Sequence, residues 1–314
     1  MDNLTHTLVG AVAAEGFFKE KVGPEALPVL CWASNLPDID TIVLLTRDPG
    51  AITLRRTFGH SALLLPLWCA GLAWLFKKLY PHKRYSTLLG LCLLGAFTHV
   101  FFDLINSFGV VVAWPLSLFR PELAIVFIVD LILTGLLLAP FLATRLAPFR
   151  GRLRDACRAS AALVCAYILL CAGARARAET LLHRETASPM PDFSYVFPEP
   201  LGPQRWRGVA RYGDEYRLYK INALTGSLAL AALAKTDRTD ASVAAVERTS
   251  PLARRLLAFY KAPVWQVSPD PEGGADVRVY DLRFRTLFLD RGRPFSYLFR
   301  VRPDGAVEER GRAR

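Results

Sequence analysis

The sequence predicts an α-helical integral membrane domain, with four clear spans and two short N-terminal helices, followed by a small β-rich α+β soluble domain. Three observations carry this expectation. Apolar residues make up 52% of the 314 positions and mean hydropathy is +0.25, both high for a soluble protein. The long apolar runs are confined to residues 1–180, whereas 186–314 reads as an ordinary polar module. The net charge is +11, and the basic residues among the apolar runs fall in the short loops between them, as topology signals do, so no nucleic-acid partner is expected. Length allows two domains, placed at 1–180 and 186–314.

Leu4–Phe18 and Ala26–Leu36 are apolar but short for a bilayer. They read as short helices, re-entrant segments or shallow spans, and Pro37 ends the second. Four runs then approach the ~20 residues a bilayer requires: Leu63–Phe76, Leu88–Phe108, Leu123–Ala143 and Ala159–Ala174. Lys77, Lys78, Lys83 and Arg84 join the first two; Arg145, Arg150, Arg152 and Arg154 join the last two. Basic loops remain inside, so both should face the cytoplasm, which leaves the soluble domain on the outer side of the membrane. Arg47, Arg55, Arg56, Arg175 and Arg177 run against that rule.

In the C-terminal half, Trp206–Tyr212, Gly213-Asp-Glu and Tyr216–Ile221 read as a hairpin. Ala262–Val267 and Val277–Phe284 flank a Pro-Asp-Pro-Glu-Gly-Gly connector, and Phe295–Val301 and Ala306–Glu309 follow. A helix is expected over Ser242–Lys261, with a break near Pro251. All six cysteines lie in or beside apolar segments and read as small buried residues. No cleavable signal peptide is expected, because Met1-Asp2-Asn3 lacks a basic leader.

Ionisable residues are costly within a membrane, yet seven gather in or near the apolar runs: His6, Asp38, Asp40, His60, His99, Asp103 and Asp130. The expected topology puts them at one depth. A bound divalent ion turns repulsion between carboxylates into coordination. His99 and Asp103 are spaced i, i+4 and share a helix face, either as ligands of one ion or as an interhelical polar pair. Asp38 and Asp40 face alike if the segment is extended, and read equally as oxygen ligands or as helix caps. Arg55 and Arg56 read as an anion clamp or as snorkelling side chains. Asp130 stands without a basic neighbour and is a candidate for function by default. No GxSxG elbow, P-loop or GxGxxG is present, which argues against serine-hydrolase and nucleotide chemistry.

Several ordered motifs extend this pattern: Asp2-Asn3-Leu4-Thr5-His6-Thr7-Leu8-Val9-Gly10, Asn35-Leu36-Pro37-Asp38-Ile39-Asp40, Arg56-Thr57-Phe58-Gly59-His60-Ser61, and Thr98-His99 through Asp103 to Trp114-Pro115-Leu116-Ser117. Over about residues 1–145 the chain resembles the YdjM-like family of predicted membrane-bound metal-dependent hydrolases. Family members often read His-Arg-Gly-x-Thr-His-Ser at the third motif; here Arg55 stands at the first His and Gly59 at the Thr. A looser likeness to zinc-dependent phospholipase C sequences points to a phosphodiester substrate. The resemblance implies a metal-dependent hydrolase of the bacterial inner membrane. Its metal ligands would be His6, Asp38, Asp40, His60, His99 and Asp103. Asp130 and Arg56 would be catalytic, the ion zinc (with manganese or magnesium as alternatives), and the partner a membrane lipid. The competing expectation is a non-catalytic metal-binding or transport protein, and a third is a scaffold whose polar domain binds a protein partner.

Overall fold

The computed structural model describes residues 1–271, 273–287 and 295–312, apart from the Phe149 side chain. Glu272, inside the expected Pro-Asp-Pro-Glu-Gly-Gly turn, lies outside the described residues. The chain divides into two compact units. One comprises Met1–Ile42, Arg56–Gly173 and Pro200–Gly202; the other comprises Val43–Arg55, Ala174–Glu199 and Pro203–Arg314.

The first unit is helical. Helix α1 (Asn3–Ala13) starts at Asp2, whose carboxylate accepts the Thr5 N–H at 3.0 Å and the Thr5 hydroxyl at 2.8 Å. A wider π turn, Ala14–Phe18, leads into α2 (Lys19–Val22), which ends at Gly23 with φ +107°. Helix α3 (Ala26–Ala33) precedes a run of 3-10 turns, Leu36–Leu45, that carries Asp38 and Asp40. Then come α4 (Leu65–Leu79), α5 (Tyr85–Leu104), α6 (Leu131–Ala143) and the first part of α7 (Leu153–Glu185).

Two apolar cores hold these helices together. Leu30, Ala33, Cys69, Ala73, Leu88 and Cys92 fill the space among α3, α4 and α5. Leu8, Val12, Phe102, Leu133, Val164 and Tyr167 join α1, α5, α6 and α7. Helix α3 approaches both of its neighbours closely. A Cβ on Gly10 would meet the Leu30 carbonyl oxygen at 2.7 Å, and one on Gly95 would meet the Ala33 Cβ at 2.7 Å. Small residues allow such backbone approach where burial alone gives no drive between helices in lipid. Outside the cores, Trp32, Leu67, Leu116 and Phe119 are exposed large apolar side chains, as lipid-facing residues are.

Four spans are not what the helices provide. Among the described residues, Tyr85–Leu104 and Leu153–Glu185 are long and apolar enough to cross a membrane. A third counts only if Leu65–Leu79 is joined to the short turns before it. Leu123–Ala143 is not one helix. Its first part is extended, with Leu123 and Ile125 N–H bonded to the Leu104 and Ile105 carbonyls at 2.8 and 2.7 Å. The remaining Leu131–Ala143 is about 20 Å long, short of a ~30 Å hydrocarbon layer.

The second unit contains two four-stranded antiparallel sheets among the described residues. Strands β1 (Phe193–Pro198), β2 (Arg205–Tyr212), β3 (Glu215–Asn222) and β4 (Ser227–Lys235) form one, in sequence order. Helices α8 (Ala241–Thr249) and α9 (Pro251–Phe259) meet at Ser250, which accepts the Ala253 N–H and so caps α9. Strands β5 (Pro263–Pro269), β6 (Ala275–Asp281), β7 (Tyr297–Val301) and β8 (Val307–Arg312) form the other sheet. Strand alternation builds two cores. Trp206 and Ala210 of β2 pack on Ala178 and Leu182 of α7, and Val209 packs with Val264 and Tyr280 of the second sheet. Segment 43–55 belongs to this unit; there Asp48 pairs with Arg255. The Arg255 bonds hold the Asp48 carboxyl below its usual range. The pair's contribution is therefore complete above the ordinary value of about 3.9 and is lost as pH falls through the lowered one.

The close approach of α3 and α5 has a direct test. Gly95→Val should destabilise the detergent-solubilised chain by roughly 1–3 kcal/mol, read as a lower unfolding midpoint, because the added atoms have no space. An unchanged midpoint would show that α5 does not touch α3 there.

Candidate metal centre

The site is built in the helical unit by four pieces of chain. Helix α5 presents His99 and Asp103 from adjacent turns. The 3-10 turns after α3 bring in Asp38 and Asp40. A second 3-10 turn, Phe58–His60, brings in His60. Gly59 permits the two turns to touch, since a Cβ there would lie 2.0 Å from the Pro37 carbonyl oxygen. Helix α1 supplies His6.

Four of the expected residues, Asp38, His60, His99 and Asp103, each offer a ligand atom within 4.8 Å of the others, and all four are buried. The His60 and His99 Nε2 atoms are 3.1 Å apart. Asp103 Oδ2 is 3.2 Å from the first and 3.5 Å from the second. Asp38 Oδ1 lies 3.9 Å from His99 Nε2. Donors around a small ion with bonds of about 2.0–2.1 Å stand about 3.3 Å apart in a tetrahedron, so the spacing suits one.

The outer ring nitrogens decide the proton inventory. His99 Nδ1 donates to the Ser34 carbonyl at 2.6 Å, and His60 Nδ1 donates to Asp40 Oδ2 at 2.9 Å. Each neutral imidazole has one N–H, so both Nε2 atoms turn lone pairs toward each other. Two lone pairs at 3.1 Å repel unless a proton or a metal cation lies between them. The donor set therefore fits a divalent metal, held by two imidazoles and two carboxylates.

The remaining expected residues take other places. Asp40 stands behind His60 and also accepts the Thr57 N–H at 2.8 Å, so it orients a ligand rather than joining the four. His6 stacks on His99, with ring centroids 3.6 Å apart, and its Nε2 is 3.2 Å from Asp103 Oδ1. Arg56, expected to grip an anionic headgroup, is buried and turned into the cluster. Its Nε lies 2.7 Å from Asp103 Oδ2, its Nη1 donates to Asn106 at 3.0 Å, and the guanidinium lies over Phe108. Its backbone has φ +56°, a conformation few non-glycine residues adopt and one held here by these contacts. The Met1 amino group also meets Asp103.

Asp130, expected inside a span as a catalytic group, is the N-cap of α6. Its Oδ1 accepts the Ile132 and Leu133 N–H groups at 3.0 Å each, and its Oδ2 accepts the Tyr167 hydroxyl at 2.8 Å. The open amides of a helix start explain a lone acid in an apolar run. Sequence reasoning missed Ser34. Its carbonyl closes α3, where helix carbonyls lack internal partners, and it points at His99.

No solved structure matches the chain. A curated Bacillus subtilis (strain 168) protein, described as uncharacterized protein YfhP, is 29% identical over 126 residues, which is 37% of this chain and 38% of that protein. The chain thus covers well under half the length of that relative. The family model described as YdjM inner membrane protein matches residues 1–179, a stretch that contains every residue of the cluster. On that match, the chain belongs to the YdjM inner membrane protein family.

Proposed function

We propose that the protein is a membrane-embedded metal-dependent hydrolase acting on a lipid, through a phosphodiester or related bond at the membrane interface. One observation carries the metal: two Nε2 lone pairs and two carboxylates converge in a buried space. His60, His99, Asp38 and Asp103 would hold the ion, and zinc suits four donors of this kind, two imidazole nitrogens and two carboxylate oxygens. The ion supplies Lewis acidity toward an ester or phosphoryl oxygen. The chain's own groups set the conditions. Asp40 and the Ser34 carbonyl fix the two imidazole tautomers. Arg56 offsets the Asp103 charge, and His6 closes one face of the His99 ring.

The lipid is supported by a cleft of about 560 Å³ in the same unit, lined by Leu36, Leu64, Leu67, Trp68, Leu72 and Leu75. Leu36 lies two residues before Asp38 in sequence, and Trp68 donates to the Phe58 carbonyl at 3.4 Å, beside the turn that carries His60. An apolar lining of this kind suits an acyl chain.

A second reading, a metal held for structure alone, is favoured by the depth of burial: His60 and Asp103 are 0% exposed and His99 is 1% exposed. Catalytic zinc sites retain an open position and structural ones are closed. Two measurements decide. Metal analysis of the detergent-purified chain should find a divalent ion that His99→Ala and Asp103→Ala lose, while Asp40→Asn retains it with roughly 10–100-fold weaker affinity. Incubating the loaded protein with membrane lipids should then release product; loaded protein with no turnover on any lipid class would assign the site to structure.

The loop charges support an outward β-rich unit. Protease added to intact spheroplasts should cut within residues 186–314. Cutting only after lysis would put that unit in the cytoplasm.

A further inference from the structure

Helix α5 is followed by a loop that is apolar and yet open to its surroundings. Leu116, Leu118 and Phe119 are 80%, 63% and 75% exposed. They do not hang from a loose end. The loop is closed at its base, where the Val110 N–H donates to the Pro121 carbonyl at 3.1 Å and the Arg120 guanidinium donates to the Gly109 carbonyl at 3.3 Å. Gly109 has φ +80°, and a Cβ there would stand 2.7 Å from Arg120 Cγ, so the two ends of the loop meet with no room for a side chain. Within the loop, the Leu116 and Ser117 N–H groups donate to the Ala113 carbonyl at 2.8 and 3.1 Å, and the Phe119 N–H donates to the Ser117 hydroxyl at 3.0 Å. Such bonds hold the loop in one shape, with its three large apolar side chains on the outside.

Its place along the chain gives its depth. Helix α5 has 20 residues and is about 30 Å long, the thickness of a bilayer's hydrocarbon layer. The chain belongs to an inner membrane protein family, and α5 is apolar enough to cross. The end of α5 therefore stands at one boundary of that layer, and the loop starts there. Two opposing costs then bracket the loop. Three large apolar side chains are unfavourable in water. An irregular backbone is unfavourable in hydrocarbon, where its N–H and C=O groups find no water. Both costs are relieved at the boundary between acyl chains and headgroups. Trp114 and Arg120 flank the three apolar residues, and both residue types settle at that level.

We infer that residues 114–120 form an interfacial wedge for a lipid surface: the two leucines and the phenylalanine reach about 5–10 Å into the boundary between headgroups and acyl chains, while the backbone stays among the headgroups. The wedge also sets the level of the polar cluster. The Val111 N–H donates to the Arg56 carbonyl at 2.9 Å, the Ala62 N–H to the Val112 carbonyl at 2.9 Å, and the Ser61 hydroxyl to the Trp114 carbonyl at 2.5 Å. These bonds fasten the segment that carries His60 to the loop. The inference does not depend on what the cluster binds.

The test is a depth measurement. The full-length chain is reconstituted in phosphatidylcholine vesicles with a dansyl-bearing amino acid in place of Phe119. A second preparation carries it in place of Phe97, which is 50% exposed near the middle of α5. Emission is compared in vesicles whose acyl chains are brominated near the headgroup or near the chain end. The label at 119 should lose more emission to shallow bromines than to deep ones, and the label at 97 the reverse. A label at 119 that no bromine quenches lies in water and overturns the inference. One quenched best by deep bromines lies within the hydrocarbon and overturns it too. Quenching at 119 that rises as the protein is diluted into lipid shows a second copy of the chain covering the loop, which also overturns it. An unquenched label at 97 overturns the placement of α5 in the bilayer, and the wedge falls with it.

Discussion

The carboxylate of Asp103 is the group on which the helical unit depends. It is fully buried in α5, a helix apolar enough to cross a membrane, where an isolated charge is among the costliest things a protein can place. The surroundings answer that charge from every side. Arg56 and the Met1 amino group approach it, and Asn106 donates to it at 3.3 Å. Three separate pieces of chain are thereby fastened to one point: the N-terminus, the Arg56 segment and α5. The acid that makes the segment unfavourable in lipid is also what gathers the site.

Helix α3 is the second constraint. It has only eight residues, yet glycines on α1 and α5 let it lie against both. That placement brings the Ser34 carbonyl to His99 and starts the 3-10 turns that carry Asp38 and Asp40. The apolar packing and the proton inventory of the site are therefore set by the same approach of helices.

Much of this was legible in the sequence and some was not, for physical reasons that differ by residue. The i, i+4 spacing of His99 and Asp103 survives in any helix, so their shared face could be read directly. Asp38 and Asp40 could not be told apart, because the expected extended segment would turn them alike. In 3-10 turns residues two apart are rotated by about 240°, which sends Asp38 to the cluster and Asp40 behind His60. The last apolar run was read as ending at Ala174, where Arg175 and Arg177 begin. Helix α7 continues instead as an amphipathic helix, with Ala174, Ala178 and Leu182 on one face. Strand β4, Ser-Leu-Ala-Leu-Ala-Ala-Leu-Ala-Lys, has none of the β-branched residues that mark a strand, and only its pairing with β3 makes it one.

The excursion of residues 43–55 into the β-rich unit has a consequence for how the protein is made. Asp48 emerges from the ribosome 207 residues before Arg255, the side chain that holds it. Domains generally mature in the order of their synthesis. Here segment 43–55 cannot make its pair with α9 until nearly the whole chain has been translated. During that interval the apolar helices can already partition into lipid. A chain interrupted before α9 would carry all of the converging side chains of the polar cluster, and segment 43–55 without the arginine that pairs with it.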